Sequence, residues 1–237
     1  AAIAALVACS PPYRPATTAV TAAAPASIEH DAYLFEGAGG VQLFSQYWRP
    51  KQGARATLVV VHGLKDHSNR YAELAERLAA RGVTVHALDL RGHAHSEGIR
   101  VYVRSFDDYL ADLDLFVSHV RAQEAARPVF LFGHSMGGAI ATLYTITRKP
   151  DIRGLLLSGA ALDYPKDAPG VLRFATRMTA TLLPETGVFQ LDMTKFSRDP
   201  AVVESGKNDP LVYQPPAPAR TAAEVLGAIG RIQDGMP

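Results

Sequence analysis

The sequence predicts an α/β domain in which a mostly parallel β-sheet is flanked by helices and carries a helical cap. Short apolar runs rich in β-branched residues alternate with stretches in which apolar residues recur at helical spacing, which is typical of parallel sheets. From residue 163 to residue 218 short segments separated by prolines replace this alternation, which favours a cap over more sheet. The 237 residues, 48% of them hydrophobic, suffice for one domain with a sizeable core. We therefore expect a core over 29–162, a cap over 163–218 and a helix over 219–237 that returns to the core.

The domain opens with a predicted β-hairpin. Residues 32–35 and 41–48 have strand composition, and the glycine-rich segment 37–40 between them is typical of a turn. The unbroken β-branched run at 57–61 follows, as expected for a strand that is buried on both faces of a parallel sheet. The sheet is therefore expected to begin antiparallel and to continue parallel.

Helices and strands then alternate as far as residue 157. Glycine and proline mark the ends of several elements, and Ser105 with Asp108 forms a capping box at one helix start. After the run at 57–61 the predicted elements are a helix over 71–79, a strand over 83–88, a helix from Ser105, a strand over 129–132, a helix over 139–148 and a strand over 152–157.

Two further helices are predicted in the C-terminal part of the chain. In the cap, four apolar residues recur at helical spacing and predict an amphipathic helix; they are Val171, Phe174, Met178 and Leu182. Thr221 and Glu224 form a capping box that predicts the start of the last helix. Three residues of that helix are expected to pack on the core: Val225, Ile229 and Ile232.

Charge and cysteine content exclude several classes of function. With 24 basic and 23 acidic side chains the net charge is +1, so we expect a small neutral or amphipathic substrate and no nucleic-acid partner. The single cysteine, Cys9, excludes an internal disulfide framework and a cysteine-rich metal site. The eight histidines show no H-E-x-x-H spacing, so we predict neither a metal nor an organic cofactor. Composition does not predict the oligomeric state.

The N-terminus has the character of a targeting segment. Residues 1–8 are wholly apolar and end at Cys9, and the order Leu-Val-Ala-Cys resembles the lipobox of bacterial lipoproteins. This resemblance implies that residues 1–9 are a signal remnant, that Cys9 carries lipid, and that the protein is a membrane-anchored lipoprotein of the bacterial cell envelope. Residues 10–28, rich in proline, alanine and threonine, would be the linker. An ordinary secretory signal, giving a secreted or periplasmic protein, and an incidental thiol are the alternatives.

The candidate nucleophile is Ser135. Gly133, His134, Ser135, Met136 and Gly137 read G-x-S-x-G between a predicted strand and a predicted helix, which is the arrangement of a nucleophile elbow in the α/β-hydrolase fold. Small residues are needed at both glycines because strand and helix nearly collide in such a turn. The backbone N–H of Met136 would begin the oxyanion hole at the helix N-terminus. The alternative is a glycine-rich turn with an inert serine.

Three more strings resemble the monoacylglycerol lipase and lysophospholipase family, which is serine aminopeptidase S33-like. Residues 62–71 read HGLKDHSNRY, residues 89–98 read DLRGHAHSEG, and residues 197–213 match the cap segment of that family. In the second string Ala94 replaces the usual glycine. The resemblance implies that the N–H of Leu64 is the second oxyanion donor. The string at 89–98 is interpreted as a structural turn below the site.

The predicted reaction is hydrolysis of a carboxylic ester of a lipid monoester, a monoacylglycerol or a lysophospholipid, through an acyl-enzyme on Ser135. The resemblance and the apolar residues of the cap support this substrate class. The sequence does not predict which residues bind the substrate. A general esterase, a thioesterase or a peptidase of the same fold is the nearest alternative. A membrane-tethered binding protein that has lost the reaction is the alternative from another class.

The acid and base of a triad are not found in this chain. In this fold the triad runs in chain order from serine to acid to histidine, and no histidine follows Ser135. His67 or His95 as the base would break that order. By resemblance we expect two more strands beyond residue 237 that carry the acid and the histidine, and the missing initiator methionine indicates a cut at the other end as well. The 237 residues alone are therefore expected to be inactive and poorly folded.

Overall fold

The computed structural model describes residues 27–124, 127–164, 170–190, 192, 194 and 197–236, and for residues 171–173 it describes the backbone alone. The predicted signal remnant with Cys9, and all of the linker except its last two residues, lie outside the described residues. So does the side chain of Val171 in the predicted cap helix.

A six-stranded sheet forms the centre of the molecule. Its strands are β1 Ile28–Glu36, β2 Gln42–Pro50, β3 Ala56–Val61, β4 Val83–Leu88, β5 Val129–His134 and β6 Gly154–Ser158, in the spatial order β1-β2-β4-β3-β5-β6. The pairs β1–β2 and β2–β4 are antiparallel, and the pairs β4–β3, β3–β5 and β5–β6 are parallel. The predicted sheet, antiparallel at its start and parallel after it, is confirmed. The turn between β1 and β2 uses Gly39 and Gly40 at φ values of 77° and 80°, which side chains disfavour.

Helices cover both faces of this sheet. The flanking helices are α1 Ala72–Ala79 after a 3₁₀ turn at Ser68–Tyr71, α2 Phe106–Gln123, α3 Met136–Arg148 and α6 Ala219–Gly235, while α4 Gly170–Leu182 and α5 Pro200–Asn208 belong to the cap. Strand β3 shows why both faces are buried: Val59 and Val61 join the core cluster that includes residues of α2, α3 and α6, while Leu58 and Val60 join the cluster around α1. No helix within the described ranges has the length and apolar character that crossing a bilayer requires.

The last helix begins two residues before Thr221, the first residue of the predicted capping box. Helix α6 starts at Ala219, and Thr221 lies in its first turn, where its hydroxyl donates to the carbonyl of Val101 at 2.8 Å. Glu224 accepts a bond at 2.9 Å from the N–H of Phe106, so it caps α2 rather than its own helix. The predicted capping box of α6 is therefore wrong, because both side chains bond to a neighbouring segment. The predicted packing of α6 is confirmed, since Ile229 and Ile232 are buried in the core.

The cap contains more strand than was expected. A short strand β7, Gly187–Phe189, pairs antiparallel with β8, Ala217–Pro218, and forms a separate two-stranded sheet. The predicted amphipathic helix is present as α4. Three of its apolar side chains are open to solvent: Phe174, Met178 and Leu182, with exposed fractions of 65%, 45% and 71%.

Candidate active site

Ser135 occupies a strained turn between β5 and α3. Its backbone angles are φ 53° and ψ −122°, outside the regions that a serine favours. Neighbouring backbone holds this conformation: the N–H of Ser135 donates to the carbonyl of Ser158 at 3.1 Å, and its carbonyl accepts from Gly138 at 2.9 Å and from Ala161 at 3.0 Å. Strain that the surroundings fix in this way is typical of functional positions.

The glycines around Ser135 leave no room for side chains. A Cβ atom on Gly133 would lie 2.5 Å from the carbonyl oxygen of Gly137, and one on Gly137 would lie 2.2 Å from that of Val61. Gly138, which the elbow pattern does not include, is equally constrained, because its Cβ would lie 2.4 Å from the Cβ of Ala160. The turn therefore requires three glycines, and the doubled glycine in the sequence was the available signal for the third.

The two predicted oxyanion donors belong to segments that meet at Ser135. Met136 is the first residue of α3, so its N–H has no carbonyl partner within the helix. The loop after β3 runs against the serine, since a Cβ on Gly63 would lie 3.2 Å from the Cβ of Ser135. The N–H of Leu64, next along this loop, makes no hydrogen bond to any described residue. Both amides are therefore available to a ligand.

His62 fixes the start of that loop. It is fully buried, and its Nε2 accepts a bond at 2.9 Å from the N–H of Leu90 in the loop after β4. The Nδ1 atom lies 2.7 Å from the carbonyl oxygen of Gly63, to which it donates. Burial, reinforced by the nearby ring of His93, lowers the pKa of His62 to about 3. A neutral imidazole therefore joins the loops that follow two neighbouring strands.

Contacts from the cap hold the same loop from the other side. The buried His67 lies with Nε2 2.9 Å from Oδ2 of Asp209. Lys65 donates through Nζ to the carbonyl of Gln214 at 3.2 Å, and its own carbonyl accepts from the N–H of Tyr213 at 3.2 Å. The strings at 62–71 and 197–213 thus lie in direct contact. Sequence reasoning missed the pairing of His67 with Asp209, because 142 positions separate them.

Asp89 organises the turn after β4. Its carboxylate accepts from the N–H of Ser68 at 2.7 Å and from both the backbone and the ring of His95 at 3.1 Å. Burial acts to raise the pKa of Asp89, but the bonds from His95 and Ser68 and the nearby His62 outweigh it and lower the pKa to about 2. Ala94 has a φ of 38°, which explains why the family uses glycine there. The geometry gives the string at 89–98 a structural role.

The structure does not bring a histidine to the hydroxyl of Ser135. All eight histidines precede the nucleophile in the chain, and each has another hydrogen-bonding contact. These contacts are with Gln46 for His30, Leu90 for His62, Asp209 for His67, Glu124 for His86, Arg91 for His93, Asp89 for His95, Gln123 for His119 and Ser158 for His134. Among the described residues the site therefore has a strained serine and two free amides, without a base or acid bonded to the serine.

Comparisons with known proteins agree with this geometry. A sequence model of the family described as "Serine aminopeptidase, S33" matches residues 52–237. The chain is 34% identical over 195 residues to the monoacylglycerol lipase of Mycolicibacterium smegmatis, covering 82% of this chain and 70% of that one. It is 34% identical over 201 residues to the monoglyceride lipase of Rattus norvegicus, covering 84% and 66%. The chain thus spans about two thirds of the length of these relatives.

A solved structure of similar fold is the monoacylglycerol lipase of Paleococcus ferrophilus. It superimposes with a TM-score of 0.70 at 28% sequence identity, covering 81% of this chain and 72% of that one. The mostly parallel sheet and the flanking helices are therefore those of an α/β-hydrolase.

Proposed function

This chain belongs to the serine aminopeptidase S33 family of α/β-hydrolases, and from that premise we propose that it hydrolyses carboxylic esters of lipid monoesters through an acyl-enzyme on Ser135. Monoacylglycerols and lysophospholipids are the proposed substrates. The observation that carries the proposal is the strained Ser135 between β5 and α3, with the free amides of Met136 and Leu64 on the two segments that meet there. This arrangement suits acyl transfer, because the donors stabilise the negative charge that develops on the carbonyl oxygen.

The proposed reaction has two halves. The hydroxyl oxygen of Ser135 attacks the ester carbonyl while a base takes its proton, and the carbonyl oxygen becomes an oxyanion held by the two amides. Collapse of this intermediate breaks the ester bond, and the leaving alcohol takes the proton from the base. Water then attacks the acyl-serine in the same way and releases the fatty acid.

We propose that the base and acid come from outside residues 1–237. Every histidine of the chain precedes Ser135 and is engaged elsewhere, as described above. The strand β6, next to the elbow strand, also has apolar side chains that no described segment covers: Leu156 and Leu157 are 46% and 41% exposed. Further strands that pair with β6 would cover these residues and would bring loops to the same edge of the sheet.

The proposed lipid character of the substrate rests on the relatives, which are named as lipases, and on the cap. Phe174, Met178 and Leu182 form an exposed apolar face on α4, which suits an acyl chain better than a polar substrate. A general esterase, thioesterase or peptidase remains the alternative, because cap chemistry rather than the elbow sets specificity. Rates measured on monoesters from acetate to oleate separate these enzymes: a lipid hydrolase gains in kcat/KM with chain length, and a general esterase does not.

A fluorophosphonate probe tests the nucleophile itself. We expect the complete protein to be labelled at Ser135 and the Ser135→Ala variant to stay unlabelled, with peptide mass spectrometry identifying the modified residue. Ser158→Ala is the matched control, since the carbonyl of Ser158 supports the elbow and is retained, while its hydroxyl contacts His134 at 3.4 Å and should not take up the probe. A wild-type protein that folds and binds lipid but takes up no probe would instead be a tethered binding protein that has lost the reaction.

We also propose that Cys9 carries lipid and anchors the protein in a bacterial cell envelope. The support is the apolar run at 1–8 that ends at Cys9. One acyl chain gives only marginal membrane binding, so the several chains of a lipoprotein are needed for stable anchoring. Mass spectrometry of the N-terminal peptide decides this, because an unmodified thiol, or a mature chain that retains residues 1–8, contradicts it.

A further inference from the structure

Every parallel strand of the sheet is preceded by an arginine. Arg55 stands directly before β3, Arg81 two residues before β4, Arg127 two residues before β5 and Arg153 directly before β6. Parallel strands all begin at the same edge, so these side chains collect at the end of the sheet opposite Ser135. We call this set of four the basal arginine row.

Backbone bonds bring the starts of these strands side by side. The N–H of Arg55 donates to the carbonyl of Gly82 at 2.9 Å, and the N–H of Arg153 donates to that of Val129 at 2.7 Å. Neighbouring strands lie ~4.8 Å apart, so the row spans about 14 Å across β4, β3, β5 and β6. This width matches several phosphate groups on a surface rather than one small ion.

Most of the positive charge in the row is not neutralised. Within the described residues, Arg55, Arg81 and Arg153 are exposed and have no ion pair with a carboxylate. Arg127 pairs with Glu124, but the same carboxylate also pairs with Arg49 at 2.7 Å, so one negative charge serves two arginines. The net charge of +1 for the whole chain conceals this segregation of charge.

Two open clefts lie between the basal cations. Lys51, Arg55 and Arg81 line a cleft of about 740 Å³. Arg127 and Arg153 line a second one of about 500 Å³, together with the Arg121–Asp151 ion pair. Exposed cations beside such clefts can reach anionic groups from several directions, and the planar guanidinium group binds phosphate oxygens in pairs. The base is therefore shaped to contact a phosphate-bearing surface.

The N-terminal segment enters the domain at this same end. Ile28, the first residue of β1, pairs with Pro50, and the N–H of Lys51 donates to the carbonyl of Ser27 at 3.1 Å. The described part of the chain therefore begins beside the basal cations.

We propose that the basal arginine row, together with Lys51, is a docking surface for the anionic headgroups of a lipid bilayer. The inference does not depend on the ester hydrolysis proposed above, nor on lipidation of Cys9. Ser135 follows Arg127 by eight residues along β5, and a strand rises ~3.3 Å per residue, so Ser135 lies about 25 Å from the basal row, at the opposite end of β5. A protein docked in this way presents its elbow away from the membrane to which it is bound.

Vesicle binding by the full chain tests this surface. The Cys9→Ser variant, which cannot be lipidated, is mixed with vesicles of pure phosphatidylcholine and with vesicles in which one third of the lipid is phosphatidylglycerol, at low and at physiological salt. We expect binding to the anionic vesicles that weakens with salt, because charges at a surface are screened within a Debye length of ~8 Å at physiological ionic strength.

Two matched triple variants locate the contact. Arg55→Gln, Arg81→Gln and Arg153→Gln together should lower the partition coefficient on the order of 100-fold, since each cation near an anionic leaflet contributes about fivefold. The control triple removes the same charge elsewhere, at three exposed positions: Arg104, Arg198 and Lys207, each changed to Gln. We expect it to bind like the parent. If the triple variant does not fold, the three basal substitutions are tested singly, and each should lower the partition coefficient about fivefold.

Four outcomes would overturn the proposal. Equal losses in the two triples would mean that only the net charge matters, and a larger loss in the control would move the contact to the cap side. Equal binding to neutral and anionic vesicles would assign the contact to apolar residues. Tighter binding of duplex DNA than of anionic vesicles at the same salt would make the row a nucleic-acid surface.

Discussion

The turns at the two edges of the parallel sheet differ in backbone conformation. The amino edge is the one where the parallel strands begin, and the carboxyl edge is the one where they end. At the amino edge the sharp turns use glycine, as at Gly53 and Gly82, whose φ values are 72° and 82°. The carboxyl edge also uses glycine, as at Gly92 and Gly98, but four non-glycine residues adopt positive φ angles there as well: Lys65, Ala94, Val101 and Ser135. The described residues include only one other such position, Lys149 at the end of α3. Backbone strain is therefore concentrated at the edge that carries the nucleophile.

The difference shows which edge is held by its surroundings. Strain persists only where neighbouring contacts enforce it, and the carboxyl edge has these contacts in His62, Asp89 and the His67–Asp209 pair. The amino edge has exposed arginines and open clefts instead. We infer that the carboxyl edge is built for a fixed geometry and the amino edge for contact with a surface.

The largest effect is expected at the strained serine itself. Ser135→Ala in the complete protein should lower kcat by about 10⁴-fold or more, because it removes the attacking oxygen, while the amides sustain a small residual rate. Alanine keeps the strained backbone and changes little volume, so the free energy of unfolding should change by less than ~1 kcal/mol. Ester hydrolysis and urea denaturation measure the two quantities. Full activity in the variant would show that Ser135 is not the nucleophile.

A glycine exchange compares crowded and open turns directly. Gly137→Ala puts a Cβ 2.2 Å from the carbonyl oxygen of Val61 and should cost more than about 3 kcal/mol, since backbone must move. Gly53→Ala, at the amino edge between β2 and β3, has the same chemistry but meets nothing within 4 Å at a φ of +72°. It should cost only ~1 kcal/mol. Similar losses from the two variants in chemical denaturation would contradict the contrast between the edges.

Local sequence patterns made the elbow predictable, whereas long-range contacts could not be predicted from the sequence. Ser135 could be predicted as the nucleophile because the strand, the glycines and the helix follow one another within a short stretch of sequence. Strand β3 could be predicted as well, from its unbroken β-branched run. Thr221 and Glu224 have the sequence of a capping box, yet their bonds go to Val101 and Phe106, over a hundred positions away. A motif records which bonds a side chain can make but not which segment will accept them.

The basal arginine row could not be predicted from the sequence for a related reason. Its members are separated by 26 to 46 positions, and only the parallel register brings them together. Net charge offered no sign of it, because acidic side chains elsewhere balance the sum. Charge segregation of this kind follows from topology, so it can be seen only once the strand order is known.

Acid should lower the free energy of unfolding, because two buried neutral histidines lie at the carboxyl edge. Burial lowers the pKa of His62 to about 3 and that of His93 to about 4, whereas unfolded histidine titrates near 6.5. The unfolded chain therefore binds protons first, so the stability from these neutral rings is complete above pH ~6.5 and declines as the pH falls toward their folded pKa values. Each ring contributes a slope of up to ~1.4 kcal/mol per pH unit.

Urea denaturation at a series of pH values measures this slope. His93→Gln removes one of these buried rings and should lower the slope between neutral pH and pH ~5, where unfolded histidine is already protonated. The half-buried His119, changed to Gln, controls for the loss of a histidine as such. A slope unaffected by His93→Gln would mean that this ring titrates alike in the folded and unfolded chains.

The smallest effect is expected where the chain departs from its family. Ala94 holds a φ of 38° at the carboxyl edge, and replacing it by glycine relieves strain of ~1 kcal/mol. Glycine also loses more conformational entropy on folding, which costs roughly 0.5–1 kcal/mol, and the buried methyl group is lost. These contributions nearly cancel, so Ala94→Gly should change the free energy of unfolding by less than ~0.5 kcal/mol.

A glycine-to-alanine substitution in the same turn is the comparison for this small effect. Gly92 lies in the same turn at a φ of 72°, and a Cβ there would lie 2.4 Å from the carbonyl oxygen of Ile99. Gly92→Ala should therefore cost several times more than Ala94→Gly, by about 3 kcal/mol. A large gain from Ala94→Gly would mean that strain at this turn is a real cost that the fold retains. Near-neutrality would mean that the turn tolerates either residue and that its geometry depends on Asp89 and Gly92 instead.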